Sequence, residues 1–408
     1  MKKTIRLLFT IFIMSAIISS CGNSAQGGSS AVSTETVSET AATEAVKDVP
    51  EKAANEIPDS AVEMAACMKL GWNLGNTLDA IGDEGMDSET SWGQPFVTKK
   101  QIEFIKESGF TSIRIPVSWS NHVDENNKID PKWMARVKEV ADYARDCGLY
   151  VIINSHHDCE RYYPTEEKFE EASKYLKDIW SQIADTFANY DESLIFESMN
   201  EPRLKDTSKE WWFQSSDKEG TAAIKTIVKL NQVFVDTIRN NGKGNNSTRY
   251  LMVPSYAASA DFALHSSFEM PTDKAEERLI ASIHAYTPYD FTMNKRGYKE
   301  WDGSKKNELN FMKKLDKKFT QNGYGVVIGE FGATNKDNID DRVAWAKDYT
   351  ELAASLGISC FLWDNGGIMI GEENFGMINR RELTVYYPEL LDALLSGYEQ
   401  KTETAAAA

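Results

Sequence analysis

Three observations predict a closed (β/α)8 barrel for this sequence. Short apolar runs of strand length alternate with longer runs of helix length. Eight such units fit within the 408 residues. No Gly-rich phosphate loop follows the first strand, which leaves the runner-up, a doubly wound open sheet, without support.

The elements follow in order. Gly71-Trp72-Asn73-Leu74-Gly75-Asn76 is the first strand-like run, and a helix over 98–108 is stopped by Gly109. Ser112 to Val117 is the second strand. Pro131 opens a helix that runs to about Cys147, with Gly148 as its stop. Strands at Tyr150 to Asn154 and Leu194 to Met199 flank a long helix over 166–188, and Pro202 closes the fourth strand region because it cannot donate to a ladder. A helix over 221–239 leads to a fifth strand at Tyr250 to Pro254, and Leu279 to Ile283 is the sixth. A helix near 307–320 precedes the seventh, Val326 to Gly329. A helix over 339–356, stopped by Gly357, precedes the eighth, Ile358 to Trp363, and a last helix spans about 387–395. The whole reads as an α/β chain with a single TIM-barrel domain over 56–398.

The flanks are different in kind. Met1 to Arg6 is basic and Leu7 to Ile18 is apolar but too short to span a bilayer, as in a signal peptide. Ile18-Ser19-Ser20-Cys21 resembles a bacterial lipoprotein cleavage site, which implies 1–21 as leader and a lipidated Cys21 holding an exported protein to the cell surface or a periplasmic membrane, with ordinary signal cleavage, a leftover Cys21 and secretion as the alternative. Residues 22–55 are Ser, Thr, Ala, Gly and Glu without apolar periodicity and read as a tether, and 399–408 as a tail. Cys67, Cys147, Cys159 and Cys360 lack metal spacing. Cys147 and Cys159 bracket a strand of about seven residues, which is too long for a disulfide, so buried thiols are expected. The formal charge of −17 argues against nucleic acid, whose affinity comes from Lys and Arg on phosphates, but is indifferent to a neutral polymer such as a glucan. Ten Trp leave some surplus for sugar stacking; Trp92, Trp119, Trp211, Trp212 and Trp301 are candidates, each with a core role as the alternative.

In a barrel of this kind chemistry sits at the carboxyl ends of the strands. Arg114 lies inside the second strand, where a buried arginine must be paired, either structurally or in a site. The third strand runs into His156, His157 and Asp158; the fourth gives Asn200 and Glu201; the sixth His284 and Tyr286; the seventh Glu330; the eighth Trp363. Three of the five histidines of the chain therefore fall at strand ends beside two glutamates and an arginine, which points to an active site built on a carboxylate pair.

The stretches Gly71 to Thr77, Arg114-Ile115-Pro116, His156-His157-Asp158, Asn200-Glu201-Pro202, His284-Ala285-Tyr286 and Gly329-Glu330-Phe331-Gly332 occur in this order, followed by Trp363. Together they resemble glycoside hydrolase family five, the cellulase family, and more narrowly its bacterial endoglucanases and xyloglucanases, over about residues 60–398. The resemblance implies a retaining endo-β-1,4-glucanase acting on cellulose-type, mixed-linkage or xyloglucan polysaccharide, with mannanase or xylanase as alternatives on the same framework. It implies Glu201 as acid/base and Glu330 as nucleophile. Asn200 matches the group that binds the sugar 2-hydroxyl, Arg114 and Tyr286 the groups that hold the nucleophile, and His284 a partner of the acid/base. His156 is the better match for the strand-three histidine, and Trp363 for the sugar platform; His157, Asn76 and His122 are expected to line the groove. Retention needs two carboxyls about 5–5.5 Å apart and calls for no metal or cofactor. A monomer is expected. A catalytically dead glucan-binding surface protein is the contrasting class, and release of reducing sugar separates the two.

Overall fold

The computed structural model describes residues 57–371 and 373–399. The leader with Cys21, the tether and all of the tail except Glu399 lie outside the described residues.

Eight parallel strands close on themselves in sequence order: β1 Leu70–Asn73, β2 Ser112–Ile115, β3 Tyr150–Asn154, β4 Leu194–Glu197, β5 Leu251–Ser259, β6 Leu279–His284, β7 Gly325–Phe331 and β8 Ser359–Leu362. Closure is made by β1 on β8, with Gly71 opposite Phe361 and Trp72 opposite Leu362. The helices are α1 Ala61–Met68, α2 Lys99–Glu107, α3 Pro131–Asp146, α4 Phe169–Thr186, α5 Lys218–Asn241, α6 Ala260–Ala263, α7 Tyr289–Thr292, α8 Phe311–Lys318, α9 Ile339–Ser355 and α10 Pro388–Glu399. Their ends follow local chemistry. Thr98 and Gln101 form a reciprocal capping box at α2, Asp130 caps α3 ahead of Pro131, and Gly109, Gly148 and Gly357 take positive φ just past α2, α3 and α9.

Alternation along the strands separates two cores. Val151 and Ile153 of β3, Leu194 and Phe196 of β4, and Val326 and Ile328 of β7 face the helices, whereas Ile152, Ile195, Met252, Ile280, Val327 and Phe361 fill the barrel. The sequence pattern gave α1 no assignment. Its Met64 and Met68 join the inner cluster, so this helix closes the barrel's amino end. Two further differences are local. The helix expected near 307–320 is a 3-10 segment, Gly303–Asn310, followed by the shorter α8. A small hairpin, β9 Ile378–Asn379 with β10 Thr384–Val385, lies between β8 and α10, with strands of two residues that are too short to leave a periodic signal. Cys147 and Cys159 are separate thiols, as expected, and burial pushes the Cys360 thiol up to about 12. Cys67 lies exposed on α1 rather than buried.

Gly71 is required by this packing, since a Cβ there would lie 2.2 Å from the Phe361 ring. Gly71→Val should therefore cost about 1–3 kcal/mol of overpacking, read as a lower denaturant midpoint with an unchanged slope. A midpoint equal to wild type would show that Phe361 does not fill the barrel as described.

Candidate active site

Above the apolar barrel layer the inward positions become polar. Two residues beyond Ser112, Ile152, Ile195 and Ile280 come Arg114, Asn154, Glu197 and Ser282, all fully buried. Arg114 is the hub of this layer. Its Nε donates to Glu197 Oε2 at 2.7 Å, Nη1 to Asn73 Oδ1 and Glu330 Oε1 at 2.9 Å each, and Nη2 to Asn200 Oδ1 at 2.7 Å. Glu197 Oε1 in turn accepts from Ser282 at 2.5 Å. Burial disfavours the guanidinium charge, but Glu197 and Glu330 outweigh it and hold Arg114 above its ordinary value. Gly329 leaves the space this requires, with Arg114 Nε and His284 Nε2 within 3.6 Å of where its Cβ would stand.

The register of β6 on β7 shifts between Ile283 and His284, so that His284 pairs with Glu330. A bulge re-aims side chains at a strand end, and here it brings three groups together. His284 Nδ1 lies 2.8 Å from Glu201 Oε1 and 3.6 Å from Glu330 Oε2. One ligand atom from each of Glu201, His284 and Glu330 falls within 4.8 Å of the others. Tyr286 donates its hydroxyl to Glu330 Oε2 at 3.0 Å. Burial and the Glu330 charge hold this phenol well above its ordinary value, so it stays a donor.

The fifth N–H of Arg114 decides where the proton of this cluster rests. It faces His284 Nε2 at 3.4 Å. A guanidinium only donates, so the contact is favourable when Nε2 is unprotonated and the imidazole proton lies on Nδ1, toward Glu201. Burial by itself pushes both carboxyls upward. An imidazolium at His284, favoured by the charges of Glu330 and Glu201, would pull Glu201 below the ordinary glutamate range and leave Glu330 raised. The Arg114 contact opposes that charge state. With His284 neutral, Glu330 keeps a charge-assisted bond from Arg114 and a phenol bond, whereas Glu201 keeps one neutral hydrogen-bond donor and the Arg203 guanidinium at 3.6 Å, beyond bonding distance. Glu201 is then the carboxyl that takes a proton first.

The strand-three histidines are fixed just as firmly. Asn154 Oδ1 accepts from Val117 N at 3.1 Å, which turns its Nδ2 to donate to His156 Nδ1 at 3.1 Å. The His156 proton therefore sits on Nε2. Burial, then the charges of His157 and Arg114, hold His156 well below its ordinary value, so it is a neutral donor. Its ring lies parallel to Trp363 with centroids 5.6 Å apart. His157 packs edge-on between His156 and Trp92 and approaches Asp79 at 3.7 Å. Asp79, His156 and His157 cluster closely enough to suggest a metal. The donor set does not suit one, since His156 has no free lone pair and Asp79 accepts the backbone N–H groups of Asn76 and Thr77.

The expected residues Arg114, His156, Asn200, Glu201, His284, Tyr286, Glu330 and Trp363 are thus brought to one face, with His157 beside them and Asn76 next to Gly75, whose Cβ would stand 3.1 Å from the Trp363 ring. His122 is not brought there. It is buried, stacked on Trp133 at 3.6 Å and bonded to Ser88, and burial pushes it down to about 4. Trp119 and Trp301 are core, whereas Trp211 and Trp212 are exposed. The sequence reading missed Glu197. Its signal was a lone charge inside the apolar run Leu194-Ile195-Phe196, the same argument that singled out Arg114. It also missed Arg203, which packs on Trp211 beside Glu201.

A family model described as Cellulase (glycosyl hydrolase family 5) matches residues 78–368. The chain is 43% identical over 353 residues to endoglucanase B of Ruminococcus albus, covering 86% of this chain and 83% of that protein. Among solved structures it is similar to a glycoside hydrolase 5 lichenase of Caldicellulosiruptor sp. F32, solved as a mutant with cellotetraose (43% identity, TM-score 0.80, 85% and 98% of the two chains). It is also similar to a xyloglucan-specific endo-β-1,4-glucanase from a metagenomic library, solved with cellotriose (37%, TM-score 0.76, 82% and 98%).

Proposed function

The chain belongs to the cellulase family, glycoside hydrolase family 5, and from that premise we propose a retaining endo-β-1,4-glucanase with Glu330 as nucleophile and Glu201 as general acid/base. The observation that carries this reading is a pair of carboxylates that flank one imidazole nitrogen, with an oxygen of each within 4.8 Å of an oxygen of the other, and that have unequal partners. That spacing suits the short separation of retaining enzymes better than the 6.5–9.5 Å or so that an inverting enzyme needs for its water.

Glu330, ionised under Arg114 and Tyr286, attacks the anomeric carbon as Glu201 gives its proton to the leaving glycosidic oxygen. The ester so formed no longer carries the Glu330 charge, and Glu201, now a carboxylate, takes a proton from the incoming water. Asn200 has its oxygen committed to Arg114, which makes its amide nitrogen the donor for the sugar 2-hydroxyl. His156 Nε2–H and the Trp363 face serve the same sugar, and Asn76 and His157 the groove.

Relatives named lichenase and xyloglucanase support mixed-linkage glucan and xyloglucan as substrates beside cellulose-type chains. A panel of soluble polysaccharides read by reducing ends tests this. Hydrolysis of barley β-glucan, xyloglucan or carboxymethylcellulose with a rapid fall in viscosity is the expected result; activity confined to mannan or xylan contradicts it.

The exported, lipid-anchored form rests on the segment ending at Cys21. None of the helices among the described residues is long and apolar enough to cross a membrane. Cys21→Ala should move the protein from the membrane to the soluble fraction without changing activity on soluble glucan. Retention in the detergent-extractable fraction would show that Cys21 is not the anchor. The barrel is proposed to act as a monomer, joined to its anchor by the tether at 22–55.

A further inference from the structure

The loop after β4 carries a charged contact that the carboxylate pair does not account for. Arg203 donates from Nη1 to the backbone oxygen of Glu201 at 3.0 Å, and the same nitrogen lies 3.6 Å from Glu201 Oε2. Its Nε donates to Glu210 Oε1 at 3.1 Å. Its guanidinium covers the Trp211 ring at 4.0 Å from the centroid. The Arg203 side chain is 14% exposed, whereas Trp211 is 56% exposed. The indole therefore has one face covered by Arg203 and ample surface left for solvent.

The loop is held rather than loose. Tyr256 of β5 accepts from Leu204 N at 2.9 Å and donates to Lys209 O at 2.8 Å, and Phe213 is buried against Tyr256 and Phe262. An exposed aromatic on a fixed loop suits a sugar face, because its cost of ordering is already met. Glu201 Oε1 is held by His284, so Oε2, the oxygen near Arg203, is the one left for the leaving oxygen. The Trp211 side of Glu201 is therefore the leaving-group side of the cleft.

We propose that Arg203 is a positioning residue that ties Glu201 to Trp211, a platform for the sugar on the leaving-group side. The inference rests on the assignment of Glu201 as acid/base. A sugar stacked on Trp211 stiffens the Arg203–Glu210–Trp211 assembly and with it the aim of Oε2. At 3.6 Å, Nη1 orients the carboxyl without occupying the oxygen that holds the proton. Lysine cannot reproduce the flat, forked contact.

The test compares kcat/KM for cellopentaose, whose leaving group needs a proton, with 2,4-dinitrophenyl β-cellobioside, whose leaving group does not. Arg203→Ala and Arg203→Lys should each lose on the order of 10²-fold on cellopentaose and stay within about threefold on the aryl substrate. Trp211→Ala should raise KM for cellopentaose alone, and Arg203→Ala should cost less in the Trp211→Ala background than in wild type. Equal losses on both substrates in variants that unfold cooperatively overturn the inference, because a structural role ignores the leaving group. Independent effects of the two substitutions overturn the link to Trp211. A wild-type enzyme inactive on both substrates would contradict the glucanase reading itself.

Discussion

Glu330→Ala should lose about 10⁴-fold or more in kcat on β-glucan, in the range of nucleophile deletions in other enzymes, while remaining folded. The loss follows from the covalent route. Without the carboxylate no glycosyl-enzyme can form, and no other group stands in its place, since Arg114 and Tyr286 only donate to it. Removing Glu330 frees one Nη1 donor of Arg114, but Glu197 still pairs the guanidinium at 2.7 Å, so the buried charge keeps a partner. Activity should therefore fall far more than stability. Comparable losses of activity and denaturant midpoint would mean that Glu330 is a structural partner of Arg114 and not the attacking group.

Arg114→Met should do the opposite to stability. It removes the one cation between Glu197 and Glu330 and leaves Glu197, fully buried, without its ion pair. Breaking a buried pair from one side costs about 3–5 kcal/mol, because the remaining charge stays desolvated. Activity should fall as well, since the charge that keeps Glu330 ionised is gone. The double variant Arg114→Met/Glu197→Gln separates the two effects. It should recover much of the stability by removing the orphaned charge, and none of the activity. Measured denaturation midpoints within about 1 kcal/mol of wild type for Arg114→Met would show that the pair is not as dry as its burial indicates.

The barrel was legible because most units state their own period and three of them their own stops. The start at Thr98, Pro131, and the glycines after α2, α3 and α9 mark ends that the structure reproduces within a residue or two. Helix α1 was not legible, because only its place at the barrel's amino end tells that Met64 and Met68 have a core to enter. In the site, Arg114, Glu201, His284 and Glu330 were visible as charges at strand ends. What sequence could not give was their mutual aim. The shift that sets His284 opposite Glu330 is a bulge, a matter of one residue in register. His122 shows the converse. The family resemblance set it in the groove, yet the stacking partner Trp133 comes from α3 and draws it into the core. The tautomers of His156 and His284 are set by Asn154 and by the last free N–H of Arg114, contacts that exist only once the strands are side by side.

The division of labour between the two glutamates is tested most directly by the anomer that azide yields from each alanine variant acting on 2,4-dinitrophenyl β-cellobioside. In Glu330→Ala the space left on the face opposite the leaving group admits azide, which displaces it in one inversion to give the α-azide. In Glu201→Ala the activated substrate still glycosylates Glu330, and azide then releases the sugar with a second inversion as the β-azide. Proton NMR of the isolated azides should therefore show α from Glu330→Ala and β from Glu201→Ala. The reverse pair of anomers would contradict the assignment and exchange the roles of the two carboxylates.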